Sequence, residues 1–386
     1  MNAVYPHISQ KGKLVRTNKY LQEIKPLLLI FRAFGRFPFL FENGSIVFKP
    51  LSWPVWYTVF IVVLQFLGFC YILETIIIQI SVRGNFDNSL YCVSLAVSLF
   101  QSLVIPITYW WESSSVLNYI NDWYYFQEEF GKDDLDFALT GLVRIVCIIH
   151  IPIFISMLVG GAYFFNDFRF IVFLPCVTAI GSLSANLMFW CITLYELRTA
   201  SDKLLNRIIA SGCRNMYQYR ILWLKLSDLI STIGESIGHT GLAVCALIFT
   251  TFVFTTYGLL SLAIDHAFTK SFCGLLCTSL LSMSLQFIMC DAAHRTTQAA
   301  GEKFSSKLLE LSTSSLSQKD QFEMNFLLQT MMTNPPVIHF IGYMIIDRNL
   351  FVKFISDTVT YLVVLIQFKT SSLARSLVNA SSEVFN

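Results

Sequence analysis

The segment NLFVKFISDTVTYLVVLIQFK, residues 349–369, decides how this sequence is interpreted. It is apolar and long enough to cross a bilayer as a helix, which takes about 20 residues. Its polar or small residues Asp357, Thr360, Val364 and Gln367 follow one another at spacings of 3, 4 and 3, so a helix places them on one face. Polar groups are costly in a bilayer, so this stripe predicts either the lining of an aqueous path or a buried seam between helices of one subunit.

The rest of the chain has the composition of a membrane protein. Of its 386 residues, 55% are hydrophobic and 13% are charged, and the charged fraction is about half that of a typical soluble domain. Lys and Arg number 27 against 25 Asp and Glu, which excludes a basic nucleic-acid-binding protein. The sequence therefore predicts an all-α membrane protein with seven transmembrane helices, at 54–80, 89–111, 140–164, 170–195, 240–262, 270–290 and 349–369.

The distribution of Lys and Arg predicts the orientation of these helices. Most basic residues fall on the side of the N-terminus, and few, among them Lys369, fall on the opposite side. Cytoplasmic segments carry the basic excess, so we expect the N-terminus inside and the C-terminus outside, where the sequon at Asn379 is a glycosylation candidate. The expected segments are a cytoplasmic N-terminal part with an interfacial helix (1–53), helices 1–4 (54–195), a cytoplasmic helical extension (196–239), helices 5–6 (240–290), cytoplasmic anchor helices with a connecting loop (291–348), helix 7 (349–369) and an extracellular tail (370–386).

The sequence carries no catalytic or metal-binding motif that we recognise. Nucleotide-binding loops, hydrolase elbows and zinc-protease patterns are missing from it, so we expect no enzymatic activity and no cofactor. Cys273 and Cys277 are spaced like helical neighbours, but no second pair completes a zinc site. A metabotropic seven-helix receptor and a transporter stay open as alternatives, although the first would begin outside and no inverted repeat indicates the second.

The end of helix 7 resembles a known family. Residues 360–368, TYLVVLIQF, are similar to the Thr-Tyr, five hydrophobics, Gln-Phe signature of insect gustatory receptors. The preceding Gly342 to Asp347 and the early stretch 26–38 also resemble that family. The resemblance implies a ligand-gated, non-selective cation channel, a tetramer with helix 7 of each subunit around a central pore and the cytoplasmic helices as its anchor.

The resemblance also implies roles for the stripe on helix 7. Gln367 and Phe368 would form the outer gate, with Val364 and Thr360 lining the path below. Four phenyl rings would dewet a closed pore, and four amides would offer oxygens to cations of different size. Asp357 would add negative charge to the inner vestibule, or alternatively pair with Lys353 at i, i+4.

A ligand would bind among the outer halves of helices 2–6, because the outer loops are short and the resemblance implies a pocket there. Hydroxyls and rings dominate these halves, which favours a bitter or plant-derived tastant over a sugar, since sugars need several amide or carboxylate partners. Ordinary hydrogen bonding between helices is the alternative role of these side chains. The candidate pocket residues are Tyr91, Ser94, Ser98, Ser156, Tyr163, Phe173, Thr178, Thr255, Thr256, Tyr257, Ser279 and Ser282.

The expected partners follow from the same resemblance. They are a small-molecule tastant, permeating Na⁺, K⁺ and Ca²⁺, membrane lipids, and either identical subunits in a homotetramer or other gustatory receptors in a heteromer. The expected location is the plasma membrane of gustatory receptor neurons. We expect no binding of nucleic acid.

Overall fold

The structure is a computed structural model. It describes residues 19–35, 39–42, 45–48, 51–83, 86–130, 170–264, 270–311 and 316–384. The predicted span 140–164 lies outside these residues, and so do the pocket candidates Ser156 and Tyr163.

The described chain is almost entirely helical, as predicted. Two short antiparallel hairpins interrupt it, one formed by β1 (Phe39–Glu42) and β2 (Ser45–Phe48) and one by β3 (His339–Phe340) and β4 (Met344–Ile345). The helices in chain order are α1 (Lys19–Ala33), α2 (Trp53–Arg83), α3 (Phe86–Phe130), α4 (Phe170–Ala210), α5 (Met216–Ser236), α6 (Gly238–Ile264), α7 (Lys270–Ala300), α8 (Glu302–Leu309), α9 (Gln318–Thr333) and α10 (Arg348–Val384).

Four helices in the described residues are long and apolar enough to cross a membrane. The segments with this property are Trp53–Glu74, Gly238–Ile264, Phe272–Leu309 and Arg348–Ser371. They overlap four of the predicted spans, and the predicted spans 89–111 and 170–195 lie within α3 and α4. The helical assignment of these segments therefore agrees with the apolar runs of the sequence.

The principal hydrophobic core lies where long helices continue beyond their apolar runs. The last part of α4 buries Leu197, Ala200, Leu204 and Ile208 completely, and their spacing of 3 or 4 residues forms one helical face. Side chains of α1, α3, α5, α7, α8 and α9 complete this core. The apolar positions that the sequence shows between 196 and 239 thus form the packed face of a helix bundle.

Two buried tryptophans tie this core to α7. Trp190 donates its indole N–H to the carbonyl of Met289 at 3.1 Å, and Trp223 donates to the carbonyl of Ala300 at 2.9 Å. Each bond satisfies a polar group that burial would otherwise leave unpaired. The two bonds therefore fix the position of α7 along α4 and α5, in addition to the apolar packing.

Asp320 joins the beginning of α9 to the beginning of α5. Its carboxylate accepts a hydrogen bond from the Ser317 hydroxyl at 2.7 Å and from the Met216 backbone N–H at 3.1 Å. These bonds stabilise the charged form and lower the pKa of Asp320. One turn further on, Arg220 and Glu323 form an ion pair at 2.7 Å between the same two helices.

The beginning of α6 is capped by a carboxylate from another helix. Glu112 of α3 is buried, and it accepts hydrogen bonds from the backbone N–H groups of His239 and of Thr240, the latter at 3.2 Å. The first N–H groups of a helix have no partner within the helix, and a negative charge there is favourable. Glu112 therefore fixes where α6 begins after the break at Ile237.

Three glycines at this junction form a surface that we call the glycine notch: Gly234, Gly238 and Gly241. A Cβ at Gly234 would lie 2.3 Å from the carbonyl oxygen of His339, and one at Gly241 would lie 2.5 Å from the ring of Phe340. The β3–β4 hairpin thus approaches α5 and α6 at a distance that only glycine allows. Since α10 begins three residues after this hairpin, the notch sets the position of the base of α10.

Candidate functional site

The predicted stripe of α10 is open to its surroundings in the single chain. Asp357, Thr360, Val364 and Gln367 are all exposed, and Phe368 is 70% exposed. Only 17% of the most apolar stretch of α10 is buried, against 33–39% in the other three candidate spans. The stripe therefore does not form a seam within this subunit.

Asp357 and Lys353 do not pair in the described part of the chain. They share one face at i, i+4, and both side chains are exposed. Among the described residues, no ion pair within 4.0 Å joins these two side chains. The ion pairs that involve α7 and α10 are those of Asp291 with Arg295 and Arg348. The carboxylate of Asp357 therefore does not form the ion pair with Lys353 that their i, i+4 spacing allows.

The opposite face of α10 packs against α6 and α7. Leu362 and Tyr257 are both 8% exposed and form a small buried cluster with Leu260 and Leu365 beside them. Nearer the base of α10, the rings of Phe354 and Phe249 lie 5.3 Å apart. The helix therefore has one face held by its own subunit and another that carries the polar stripe.

The base of α10 is held by charged groups. Asp347 caps the helix, because its carboxylate accepts the backbone N–H of Leu350 at 2.9 Å. Arg348 donates to Asp291 of α7 at 2.6 Å, and Arg295 contacts the other oxygen of that carboxylate at 2.7 Å. These contacts fix α10 to α7 directly after the β3–β4 hairpin.

The outer end of α10 makes a contact that sequence analysis missed. Lys369, which the charge pattern placed with the residues outside the membrane, is only 9% exposed. Its ammonium donates to the carbonyl oxygen of Ser261 at 3.1 Å and to the hydroxyl of the same residue at 2.5 Å. A lysine directly after an apolar run is ordinarily solvated, so the sequence carries no signal for this burial.

Two of the pocket candidates come together between α6 and α7, where the hydroxyls of Thr256 and Ser279 are hydrogen-bonded at 2.9 Å. Ser282 is buried one turn further along α7, whereas the buried Tyr257 packs with Leu362 of α10. Ser282 also lines a small cavity shared with residues of α10, among them Phe351 and Phe354. Thr255 of the same group bonds back to its own helix, at 2.8 Å from the carbonyl of Thr251.

Thr178 has a different partner, Gln65 of α2. The amide N–H₂ of Gln65 donates to the Thr178 hydroxyl at 3.0 Å, and both side chains are buried. Within the described part of the chain, the amide oxygen of Gln65 has no hydrogen-bond partner, and neither does the amide oxygen of Gln286, one turn beyond Ser282. Sequence analysis named neither glutamine, although a polar amide inside an apolar run is a detectable signal.

The other candidates are placed by the backbone alone. Tyr91, Ser94 and Ser98 lie in α3 and Phe173 lies in α4, and Asn379 lies near the end of α10. Their side chains are outside the described part of the structure. Their contacts with a ligand or a glycan stay predictions.

Comparison with known proteins gives one family over nearly the whole chain. The family described as "7tm Chemosensory receptor" matches residues 24–372. Gustatory and odorant receptor 22 of Anopheles gambiae is 27% identical over 96% of this chain and 83% of its own length. Gustatory and odorant receptor 21a of Drosophila melanogaster is 27% identical over 94% of this chain and 84% of its own length. Gustatory and odorant receptor 24 of Anopheles gambiae is 28% identical over 92% of this chain and 80% of its own length.

Solved structures show the same fold. The insect olfactory receptor OR5 from Machilis hrabei superposes with a TM-score of 0.64 at 11% identity, over 91% of this chain and 99% of that one. The same receptor in complex with eugenol gives a TM-score of 0.66 at 12% identity, over the same shares of the two chains. The prediction of an all-α membrane protein is confirmed by this likeness, which covers 91% of this chain.

Proposed function

Because this chain belongs to the 7tm chemosensory receptor family, as an insect gustatory receptor, we propose that it is a non-selective cation channel opened directly by a small molecule. The observation that carries the proposal is the polar stripe of α10. The stripe is exposed while the opposite face of the same helix is packed against α6 and α7. Exposed carboxylate and amide groups within an apolar helix require water or another subunit beside them.

A tetramer with α10 at its centre meets that requirement. Four copies of the stripe would surround an aqueous path, and the low burial of α10 leaves surface available for neighbouring subunits. Closed symmetry is the usual arrangement of such assemblies. Identical subunits or other gustatory receptors would both satisfy this geometry, and the plasma membrane of a sensory neuron is where such a channel would act.

Each residue of the stripe then has a role along the path. Phe368 is 70% exposed, and four such rings would close the outer end by excluding water. Gln367 offers amide oxygens at the same level, and Val364 and Thr360 line the path toward Asp357. The carboxylate of Asp357, which forms no ion pair with the described residues, would concentrate Na⁺, K⁺ and Ca²⁺ near the entrance.

A weakly polar organic molecule is the ligand class that we propose. Among the described residues, the hydroxyls of Thr256 and Ser279 bond to each other and that of Thr178 bonds to Gln65, so these three hydroxyls are not left to replace the hydration of a sugar. The relatives are named as gustatory and odorant receptors, and OR5 was solved with eugenol, a phenol with a largely apolar body. We therefore propose a bitter or plant-derived tastant or odorant before a sugar.

The test is whole-cell current from cells expressing this chain, with G-protein signalling blocked, during perfusion of plant phenols, alkaloids and sugars. We expect an evoked current that reverses close to zero membrane potential, since Na⁺ and K⁺ would permeate alike. Phe368→Ala is expected to raise the current without ligand, and Gln367→Ala to change relative ion permeability. Val359→Ala is the matched control, because Val359 is exposed on α10 away from the stripe.

Two results would contradict the channel. Evoked currents that disappear when G-protein signalling is blocked would indicate a metabotropic receptor. Currents whose reversal potential and size are the same in wild type, Gln367→Ala and Phe368→Ala would show that the stripe does not line the conducting path.

A further inference from the structure

The contact between Lys369 and Ser261 lies directly beside the proposed gate. Lys369 follows Gln367 and Phe368 in sequence, yet it points into its own subunit while those two side chains are exposed. Successive residues of a helix point in directions about 100° apart, so fixing one of them fixes its neighbours. The orientation of Lys369 therefore determines where the two gate side chains point.

The burial of this lysine needs a specific reason. A lysine at the end of a membrane helix ordinarily extends its amine to water, because an ammonium loses much of its hydration on burial. Here the amine is directed to a backbone carbonyl and a hydroxyl of Ser261, which is itself 3% exposed. Two charge-assisted hydrogen bonds are strong enough to hold two helices together.

The contact completes a line along the facing sides of α6 and α10. Tyr257 and Ser261 are one turn apart on α6, and Leu362, Leu365 and Lys369 are one turn apart on α10. Tyr257 and Leu362 form the buried apolar part of this line, and the lysine closes its outer end. We call this line of contacts the outer clamp.

We propose that Lys369 is a positioning residue for the gate, which holds the outer end of α10 against α6 so that Gln367 and Phe368 stay directed away from their own subunit. Release of the ammonium from Ser261 lets the outer end of α10 move and the gate open. This role rests on the proposed channel function, since it acts through the gate residues. Ligand in the neighbouring α6–α7 region, where Thr256 bonds Ser279, would act on the same helix that carries Ser261.

The test compares the current without ligand, as a fraction of the maximal current, at equal surface expression. Lys369→Met keeps the aliphatic stem but removes the donor, and the fraction is expected to rise about tenfold, as expected from loss of a hydrogen bond to a charged group. Lys369→Arg restores a donor and is expected to return the fraction to within about twofold of wild type. Ser261→Ala, which keeps the carbonyl acceptor, is expected to give a smaller rise, and adding it to Lys369→Met no further rise.

Val359→Ala is the control, because Val359 is exposed on the same helix but lies away from the stripe and from Ser261. We expect its fraction of current without ligand to equal that of wild type. A Lys369→Met fraction that is unchanged or lower than wild type would overturn the positioning role. An increase that Lys369→Arg shares in full would also overturn it, because the effect would then come from packing and not from the donated bonds.

A second measurement separates the clamp from the channel. Cysteines replacing Tyr257 and Leu362 lie at a buried contact of α6 and α10 and are expected to cross-link in membranes treated with an oxidant. The yield is expected to fall at least about twofold when Lys369→Met is added. Wild type that passes no current, either alone or with other gustatory receptors co-expressed, would contradict the channel function. An unchanged cross-linking yield would overturn the clamp on its own.

Discussion

Replacing Gly234 by alanine tests whether the glycine notch sets the position of α10. The added Cβ would lie 2.3 Å from the carbonyl oxygen of His339 and 3.1 Å from its backbone nitrogen. Ordinary contact begins near 3.4 Å, so the hairpin backbone must move by about 1 Å. Such overpacking costs about 1–3 kcal/mol, and the better helix propensity of alanine returns up to about 1 kcal/mol.

The net loss that we expect for Gly234→Ala is therefore about 1–2 kcal/mol. The measurement is the apparent unfolding temperature of the solubilised receptor, followed as loss of the monodisperse size-exclusion peak after heating. Because α10 begins beside the hairpin, the maximal current per surface receptor is expected to fall as well. Gly234→Ala with wild-type thermal behaviour and wild-type current would refute the reasoning.

Gly241→Ala provides the matched comparison within the same notch. Its Cβ would meet the ring of Phe340 at 2.5 Å, which is a side chain and not backbone. Phe340→Leu shortens that side chain and creates space for the added Cβ. The loss in free energy of unfolding of the double variant Gly241→Ala, Phe340→Leu is therefore expected to be about 1 kcal/mol smaller than the sum of the two single losses. No side-chain change at Phe340 relieves the backbone contact of Gly234, so the same combination with Gly234→Ala is expected to be additive.

Further changes test the contacts that hold the helices together. Glu112→Ala leaves the first N–H groups of α6 unpaired, including that of Thr240, and is expected to lower stability by about 1–2 kcal/mol in the same thermal measurement. Trp223→Phe removes the indole donor to the last carbonyl of α7 and is expected to lower the free energy of unfolding by about 1–3 kcal/mol. Trp223→Tyr is expected to lose as much, because the tyrosine hydroxyl does not occupy the position of the indole N–H. The pKa of Asp320 is lowered in the folded protein. Its contribution to the free energy of unfolding is therefore complete above the ordinary aspartate pKa and is lost as the pH falls through the lowered pKa. Thermal stability should therefore decline on acidification in wild type and decline less in Asp320→Asn, and equal declines in the two proteins would contradict the role of the Met216 contact.

The sequence predicted the features that depend on composition and local spacing. Apolar runs located the helices, and the spacing of Asp357, Thr360, Val364 and Gln367 predicted a shared face, because both signals depend on neighbours along the chain. The motif at 360–368 identified the family that the whole-chain comparison confirmed. The pore roles of these residues stay predictions that the current measurements address.

Features that depend on distant contacts could not be predicted. The glycine notch exists because a hairpin about a hundred residues later approaches α5 and α6, and nothing near Gly234 in sequence indicates that approach. Lys369 was interpreted by its position after an apolar run, whereas its burial depends on Ser261 of another helix. The sequence predicts Thr178 as a candidate for ligand contact, and only the fold shows that its hydroxyl accepts a hydrogen bond from Gln65.

The continuity of α4 has a mechanical consequence. This helix runs for 41 residues without interruption, and the principal core holds it from the completely buried Ile208 back to Ala185. With a fulcrum near Ala185, the arm back to Phe170 is about 22 Å long at 1.5 Å per residue. A tilt of about 5° then displaces the tip at Phe170 by about 2 Å while the fulcrum hardly moves. The helix is therefore a lever that turns a small change of angle at its rigid end into atomic-scale travel at the other, where Thr178 lies along the arm.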